Sequence, residues 1–465
     1  MCGIIGVSNL PDAARATYLG LYALQHRGQE SAGIVTVDEL GLPHVVRGMG
    51  LVGDVFRDQE LSQLTGTVAV GHTRYSTAGS SVLANAQPCV ANYRGGPLSL
   101  AHNGNLTNAA AIKRELVAQG AILQSSSDSE IFVHLIARSR APTVEGQIRD
   151  ALSRIEGAFS LVITVGRTLY CAVDPDGFRP LVLGRLGQGI VAASETCALD
   201  LIGATLLREL GPGDFIEIVD GMVRDLPPFP KAPTAHRCVF ELVYFARPDS
   251  TVFGESVDRV RRDLGRQLAR EHPAPGADVV FSVPDSANMM ALGYSDESQL
   301  KLEHGLIRNH YIGRTFINPT QALRVAKVKI KFNPVRDVIA GRSVVVVDDS
   351  VVRGTTSKGL VQMIRAAGAR EVHLRLGSPP ITGPCHYGID TPNRSELIAA
   401  NHSLPQILAY LGVDSLGYLS LEGMLRAAGD RNGFCHACFS GQYPIEPGDG
   451  LVQLRHLAPH AGSPV

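Results

Sequence analysis

The fold of this chain is decided by the stretch Val344-Val345-Val346-Val347-Asp348-Asp349-Ser350-Val351-Val352-Arg353-Gly354-Thr355-Thr356. Its four β-branched residues in a row predict a strand that is buried on both faces, as is typical of parallel sheets. Leu360, Ile364 and Ala367 then recur at helical spacing, so residues 357–367 are predicted to form a helix. The stretch therefore predicts a strand, a loop and a helix of an α/β fold.

The loop between that strand and that helix is suited to hold a phosphate. Backbone N–H groups and the helix dipole favour an anion at a helix N-terminus. The loop is not a Walker A sequence, because no Gly-Lys-Ser/Thr closes it. Asp348 and Asp349 suit the vicinal hydroxyls of a sugar, or a hydrated magnesium ion beside the phosphate. An ordinary core strand that ends in a polar turn is the plain alternative, and the hydroxyl-rich turn argues against it.

The full run resembles the phosphoribosyl-diphosphate (PRPP) signature of the type I phosphoribosyltransferases. The PRPP contacts that this resemblance implies are Asp348, Asp349, Ser350, Arg353, Gly354, Thr355 and Thr356. A second strand and small loop, residues 278–287, would cradle the pyrophosphate, and its Ser286 would help to hold Mg²⁺ with Asp348 and Asp349. Without the resemblance, that loop reads as a simple turn.

A basic segment, residues 309–333, lies between these two phosphate-binding units and contains Lys327, Lys329 and Lys331. It reads as a solvated linker when taken alone. The resemblance implies instead a lid that orders over PRPP and shields the reaction from water.

Length and composition limit the class of protein. A chain of 465 residues predicts two domains or three, and 45% hydrophobic with 19% charged residues is typical of soluble α/β proteins. A formal net charge of −1 gives no field that attracts nucleic acid or an acidic membrane. No apolar run approaches the ~20 residues of a membrane span, and no basic leader precedes an apolar core. We therefore expect a cytoplasmic enzyme that binds neither nucleic acid nor membrane.

The N-terminus carries a possible nucleophile. The chain begins Met1-Cys2-Gly3, so removal of the initiator methionine would leave a cysteine with a free α-amine. Such a residue combines a thiol that attacks with an amine that accepts its proton. A small apolar residue at the start of an edge strand is the plain alternative, and Cys2 alone does not decide between the two.

Polar clusters later in the first half favour the nucleophile. They lie at predicted strand or helix ends, at residues 25–33, 71–77, 101–106 and 127–130. Together with Cys2 they resemble, motif by motif, the class II glutamine amidotransferases, which are N-terminal-nucleophile glutaminases. The resemblance implies that Cys2 attacks the glutamine side-chain amide, with Asn103 and the Gly104 N–H as the oxyanion hole.

The same resemblance assigns the glutamine-binding residues. Arg74 would hold the substrate carboxylate with its guanidinium fork. Asp128 would hold the α-ammonium group, and Arg27 would help to shape the pocket. Taken separately, Arg74 reads as a solvated arginine and Asp128 as a helix cap.

The proline-rich stretch 226–233 cannot form a regular helix or a central strand, so we interpret it as the connector between domains. Residues 2–230 are then the glutaminase domain, for which the resemblance implies an αββα sandwich of the Ntn-hydrolase type. Residues 231–465 are the phosphoribosyltransferase domain, with a parallel sheet and a C-terminal segment that binds a cluster.

Eight cysteines are too few for a disulfide scaffold in a chain of this length. Cys89, Cys171 and Cys197 lie in apolar settings and are predicted to be core residues. The remaining four besides Cys2 are Cys238, Cys385, Cys435 and Cys438. A single Cys-x-x-Cys fits zinc, iron–sulfur or a redox pair. The four positions resemble those of an iron–sulfur subgroup of enzymes, which implies a structural 4Fe–4S cluster with zinc or an empty site as the alternatives.

Both halves together resemble the amidophosphoribosyltransferases over nearly the whole chain. The resemblance implies hydrolysis of glutamine, internal passage of ammonia to PRPP, and formation of 5-phosphoribosylamine, glutamate and pyrophosphate at the first step of purine biosynthesis. It also implies a homotetramer with feedback by purine nucleotides. The rival hypotheses are a glutaminase that serves another acceptor, against which residues 344–356 argue, and a non-catalytic sensor, against which Cys2 and its partners argue.

Overall fold

The computed structural model describes residues 1–76, 79–309, 331–391, 393–429 and 433–446. The chain forms two compact units. The first contains Met1–Arg237, Cys385–Asp390 and residues 443–446, and the second contains Cys238–Pro384 and Thr391–Gln442. The predicted join after residue 230 and the boundary after Arg237 fall in the same region of the chain. The grouping of Cys385–Asp390 with the first unit was not predicted.

The first unit contains two antiparallel sheets. Its strands, in chain order, are β1 (Gly3–Ser8), β2 (Ser31–Val37), β3 (Pro43–Met49), β4 (Val68–Arg74), β5 (Cys89–Tyr93), β6 (Gly96–Leu106), β7 (Gly157–Val165), β8 (Thr168–Val173), β9 (Val182–Leu186), β10 (Gly189–Ala193), β11 (Thr205–Glu209), β12 (Phe215–Val219) and β13 (Met222–Asp225). One sheet has the order β11-β9-β10-β1-β4-β2-β3, and the other has the order β13-β12-β8-β7-β6-β5.

Helices cover the outer faces of both sheets. They are α1 (Ala13–Ala23), α2 (Val52–Val55), α3 (Asp58–Ser62), α4 (Ala109–Ala118), α5 (Ser129–Arg138), α6 (Val144–Leu152) and α7 (Thr196–Ile202), with 3₁₀ turns at Gln25–Arg27 and Leu83–Asn85. Because side chains alternate along a strand, Ile4 of β1 packs against Val162 of the other sheet, whereas Ile5 packs against α1 and α7. The predicted αββα sandwich is confirmed.

The second unit is built on a parallel sheet. Its strands are β14 (Arg237–Cys238), β15 (Thr251–Val252), β16 (Glu255–Ser256), β17 (Val279–Ser282), β18 (Lys301–Leu302), β19 (Leu306–Arg308), β20 (Phe332–Pro334), β21 (Ser343–Asp348), β22 (Glu371–Leu376), β23 (Ser415–Tyr418) and β24 (Phe434–Cys435). The parallel sheet has the order β18-β17-β21-β22-β23. The four valines of β21 are fully buried at its centre, which confirms the prediction.

The helices of the second unit are α8 (Val257–Glu271), α9 (Asn288–Ser298), α10 (Arg336–Ile339), α11 (Thr355–Ala366), α12 (Ile398–Asn401), α13 (Leu404–Leu411), α14 (Leu421–Ala427) and α15 (Ala437–Ser440), with a π-helical turn at Glu241–Phe245 and a 3₁₀ turn at Arg394–Glu396. α11 is the helix predicted to follow the phosphate loop. Among the described residues, no helix has both the length and the apolar character needed to cross a bilayer. The predicted lid at residues 309–333 lies outside the described residues except for residue 309 and residues 331–333.

Candidate active sites

Cys2 lies at the start of β1, beside the residues predicted to stabilise an oxyanion. The Cys2 side chain is nearly buried, and its backbone N–H donates to Oδ1 of Asn103 at 3.1 Å. Within the described part of the chain, Nδ2 of Asn103 is buried and has no acceptor. A Cβ at Gly104 would lie 2.0 Å from the Ala158 carbonyl oxygen, so the strand requires glycine there. The structure thus places the predicted nucleophile beside an amide donor that no acceptor among the described residues uses.

A small cavity, about 10 Å³ in volume, opens at Cys2. Its lining residues are Cys2, Arg74, Tyr75, Gln87, His102, Gly104, Ser127, Asp128 and Ser129. Arg74 ends β4, is almost fully buried and donates to the Ser80 carbonyl at 3.0 Å. Asp128 precedes α5 and accepts from the Leu106 N–H at 3.1 Å. One small cavity therefore offers a thiol, a cation and a carboxylate, which suits an α-amino acid with a reactive side chain.

Arg27 does not line this cavity. Its side chain is fully buried, and Nε donates to the Cys2 carbonyl at 3.0 Å. Its terminal nitrogen lies 2.5 Å from Oε1 of Glu195, which is also fully buried. Glu195 was not predicted, because its carboxylate comes from a loop far away in the sequence and no local motif marks it. Arg27 therefore contacts the backbone of the nucleophile.

Met1 is present in the structure and is buried. Burial lowers the pKa of its α-amine from 8.0 to about 6, with smaller contributions from Arg179 and Arg27 in the same direction. As long as Met1 is attached, the Cys2 nitrogen is an amide and cannot act as a base. An N-terminal nucleophile at Cys2 requires removal of this residue.

Two buried histidines, His72 and His102, form hydrogen bonds close to this cavity. His102 lies 3.0 Å through Nδ1 from the Ser129 hydroxyl, next to Asp128. His72 on β4 lies 3.2 Å through Nε2 from the His102 carbonyl oxygen. Burial lowers the pKa of His102, and it lowers the pKa of His72 to about 3. Both rings are therefore neutral at physiological pH.

The second candidate site lies at the C-terminal end of β21. Asp348 and Asp349 are both largely buried, and the Asp349 carboxylate accepts from the Ser286 hydroxyl at 2.6 Å and the Ser350 hydroxyl at 2.7 Å. Burial, together with the neighbouring Asp349 charge, raises the pKa of Asp348 well above its usual range. Adjacent buried carboxylates of this kind favour a divalent cation or hydroxyl donors as partners. The structure brings Ser286, Asp348 and Asp349 together as predicted.

The loop that follows enters α11 through Gly354, which has a φ of +75°. A Cβ there would also lie 2.8 Å from Cδ1 of Ile398, so the turn requires glycine for two reasons. Arg353 pairs through Nε with Glu396 at 2.8 Å. Thr355 and Thr356 form the first turn of α11, where backbone N–H groups have no helical partners. The loop therefore has the geometry of an anion-binding helix start.

The four remaining cysteines lie in three parts of the chain. Cys238 and Cys435 belong to β14 and β24, which pair with each other. Cys438 lies in α15, and its carbonyl accepts from the N–H groups of Thr382 and Gly383. Cys385 begins the segment that folds with the first unit. No group of three or more His, Cys, Asp or Glu side chains forms a metal site within the described ranges, so the cluster stays a prediction.

Comparison with known proteins shows the family of this chain. Residues 72–201 match the family model for a glutamine amidotransferase domain. The chloroplastic amidophosphoribosyltransferase 2 of Arabidopsis thaliana is 48% identical over 454 residues, which cover 97% of this chain and 81% of the relative. The chain belongs to the amidophosphoribosyltransferase family. The amidophosphoribosyltransferase of Bacillus subtilis is 47% identical and covers 96% of this chain and 94% of its own length.

Solved structures of this family have the same fold. The glutamine PRPP amidotransferase from B. subtilis, complexed with ADP and GMP, superposes with a TM-score of 0.90 at 46% identity, over 96% of this chain and 98% of that one. A structure described as the allosteric regulatory enzyme of purine biosynthesis superposes with a TM-score of 0.91, also at 46% identity, over 96% of this chain and 97% of that one. The predicted combination of a glutaminase fold and a phosphoribosyltransferase fold is confirmed.

Proposed function

We propose that this member of the amidophosphoribosyltransferase family hydrolyses glutamine at Cys2 and transfers the ammonia to C1 of PRPP. The products are 5-phosphoribosylamine, glutamate and pyrophosphate, at the first step of purine biosynthesis. The observation that carries the proposal is Asn103, whose Oδ1 holds the Cys2 nitrogen while its buried Nδ2 points to no acceptor in the described chain. A donor in this state is suited to a negative oxygen that develops on a substrate.

The first half-reaction follows from the residues around Cys2. After Met1 is removed, the α-amine accepts the thiol proton, and the sulfur attacks the glutamine δ-carbonyl carbon. Asn103 Nδ2 and the Gly104 N–H stabilise the resulting oxyanion. The amine then donates the proton to the departing ammonia, and water hydrolyses the thioester to glutamate.

Two charged residues orient the glutamine. Arg74 would bind the α-carboxylate, and Asp128 the α-ammonium group, because both line the cavity that contains the Cys2 side chain. Arg27 would act indirectly, because its side chain donates to the Cys2 carbonyl and does not line the cavity.

The second half-reaction requires the protein to position PRPP and ammonia, and it requires no nucleophilic side chain. Asp348 and Asp349 accept hydrogen bonds from the ribose hydroxyls, and the loop of residues 350–356, including Ser350, binds the 5′-phosphate through backbone N–H groups and hydroxyls. Ammonia then displaces pyrophosphate from a cation-like ribosyl carbon. The buried carboxylates and the Ser286 hydroxyl fit Mg²⁺, which when bound neutralises charge on the leaving pyrophosphate.

We also propose a structural 4Fe–4S cluster held by Cys238, Cys385, Cys435 and Cys438. Four thiol donors suit this group, and the pairing of β14 with β24 supports it for two of the four positions. Neither half-reaction moves electrons, so the role of the cluster is structural. Zinc is the alternative occupant.

Regulation, assembly and location are proposed from the relatives. The structure of a B. subtilis relative is a complex with ADP and GMP, which supports feedback by purine nucleotides here. We further propose a homotetramer in the cytoplasm. Neither nucleic acid nor a membrane is an expected partner.

The decisive test is stoichiometry. Protein freed of Met1 is incubated with glutamine, PRPP and Mg²⁺, and glutamate and pyrophosphate are measured over time. The proposed function requires PRPP-dependent release of both products in equal amounts. Glutamate without pyrophosphate would indicate a different acceptor, and release of neither would indicate a sensor without catalysis.

A further inference from the structure

The segment Cys385–Asp390 is distant in sequence from the glutaminase strands, yet it packs on the strand that carries the oxyanion donors. The Asn105 side-chain amide donates to the His386 carbonyl at 2.9 Å. Gly388 lies against Gly104 itself, because a Cβ at position 388 would come within 2.9 Å of the Gly104 carbonyl carbon and 3.0 Å of its oxygen. The segment therefore limits where the Gly104 backbone can lie.

Arg179 holds this segment in place. Its guanidinium donates twice to the Tyr387 carbonyl oxygen, through Nε at 2.9 Å and a terminal nitrogen at 2.5 Å. The Arg179 side chain is only 1% exposed. Burial of a guanidinium is costly unless acceptors surround it, and the Tyr387 carbonyl accepts two of its hydrogen bonds while Met1 Sδ lies 2.6 Å from another nitrogen. The Phe178 ring also stacks on the Tyr387 ring, with centroids 4.4 Å apart and planes at 18°.

The turn that presents Arg179 is itself fixed. The carboxylate of Asp174 is fully buried and accepts four backbone hydrogen bonds, from Phe159, Asp176, Gly177 and Phe178. Phe159 on β7 pairs directly with Gly104 on β6. The turn, Arg179, the segment and the oxyanion strand thus form one closed set of contacts around Gly104.

We propose that Arg179 and Gly388 are positioning residues of the oxyanion hole. They act by holding the Gly104 peptide in the orientation in which its N–H faces the developing oxyanion. This inference rests on the proposed glutaminase function. Such a donor contributes in the transition state and little to ground-state binding, so its misplacement lowers kcat and leaves KM for glutamine nearly unchanged.

Gly388→Ala in the full-length holoenzyme tests the proposal, because the added methyl group collides with Gly104. We expect the glutaminase kcat to fall about 10²-fold, the usual loss for one oxyanion donor. KM for glutamine, synthesis from ammonia and PRPP, and the rate of Cys2 alkylation by iodoacetamide should stay within twofold of the parent. Gly187→Ala is the matched control, because Gly187 also has a positive φ but a Cβ there meets no atom within 4 Å.

Two further variants distinguish a loss of positioning from a failure of the protein to fold. Arg179→Lys keeps the charge but loses the paired donors, and it should lower kcat at constant KM. Tyr387→Phe keeps the ring and the carbonyl, loses the hydroxyl that donates to the Ile445 carbonyl and accepts from its N–H, and should keep the kcat and KM of the parent. A raised KM with normal kcat, or equal loss of the glutamine and ammonia reactions in both Gly388→Ala and Arg179→Lys, overturns the proposal. Failure of the parent enzyme to release glutamate would instead refute the proposed function.

Discussion

Glu195 and Arg27 form a buried ion pair next to the Cys2 backbone. Their closest atoms are 2.5 Å apart, and neither side chain has any exposed surface. His26 lies 2.8 Å from the same carboxylate oxygen, and Arg27 reaches the Cys2 carbonyl. Because Arg27 contacts both Glu195 and Cys2, a change at Glu195 alters the support of Cys2 without changing a residue that lines the cavity.

Glu195→Gln should therefore destabilise the first unit and impair glutamine hydrolysis. The substitution removes the negative charge paired with a buried guanidinium, and breaking a buried ion pair costs about 3–5 kcal/mol in the free energy of unfolding. Urea denaturation and glutaminase kinetics measure the two effects. Glu115→Gln is the control, because Glu115 and Arg154 form an exposed pair, and surface pairs are worth about 1 kcal/mol or less. Equal destabilisation by both substitutions would contradict a supporting role for Glu195.

Cys2→Ser should abolish glutamine-dependent synthesis while synthesis from ammonia at high pH survives. Cys2 and the proposed glutamine-binding residues belong to the first unit, whereas the proposed PRPP-binding residues belong to the second. Cys171→Ser is the matched control, since Cys171 is buried outside the cavity. Pyrophosphate release with each nitrogen source is the measurement. Equal loss of both reactions in folded Cys2→Ser protein would count against two separate sites.

The sequence allowed prediction of those parts of the sites that local chemistry marks. Val344–Val347 with the following carboxylates indicated a buried parallel strand and its phosphate loop, because β-branched runs and helix-start loops are local signals. Asn103 and Gly104 were predicted because their motif resembles that of a known family. Glu195, Arg179 and Gly388 were missed. Their roles depend on contacts between residues far apart in the chain, and neither spacing nor residue type marks such contacts.

Asp348→Asn and Asp349→Asn should weaken PRPP use and leave glutamine hydrolysis at Cys2 largely intact. Each substitution removes a charged acceptor for ribose hydroxyls or Mg²⁺-bound water, an interaction worth about 1.5–3 kcal/mol. This corresponds to about a 10- to 150-fold loss in kcat/KM for PRPP. Asp337→Asn, in helix α10 and away from the end of β21, is the control. If both test variants have unchanged kinetics with PRPP, these carboxylates do not bind PRPP.

Acid should destabilise the first unit through His72. Burial lowers the pKa of this histidine to about 3, against 6.5 in the unfolded chain. Between pH 6.5 and about pH 3, His72 is protonated in the unfolded chain but neutral in the folded chain. The free energy of unfolding is therefore highest above pH 6.5 and falls progressively as the pH drops to about 3. The expected loss between pH 6.5 and 5 is about 2 kcal/mol in the free energy of unfolding.

His72→Gln should reduce this dependence on pH, because glutamine does not titrate and can still donate to the His102 carbonyl. Urea midpoints at pH 7 and pH 5 measure the slope. The buried His102 leaves a residual dependence of the same sign. His304→Gln changes an exposed histidine and should keep the slope of the parent. The same slope in His72→Gln and the parent would show that another group controls acid sensitivity.

The last prediction concerns the four cysteines outside the reaction. If Cys238, Cys385, Cys435 and Cys438 hold a 4Fe–4S cluster, anaerobically purified protein should be brown and contain four iron and four sulfide per chain. Air should bleach its visible absorption and lower its stability together, because the cluster has a structural role. Cys435→Ser should lower iron content and melting temperature, whereas Cys171→Ser, a substitution in the fully buried core, should leave the iron content unchanged. If the parent protein is colourless and contains one zinc per chain, the cluster hypothesis is wrong and these cysteines form a zinc site.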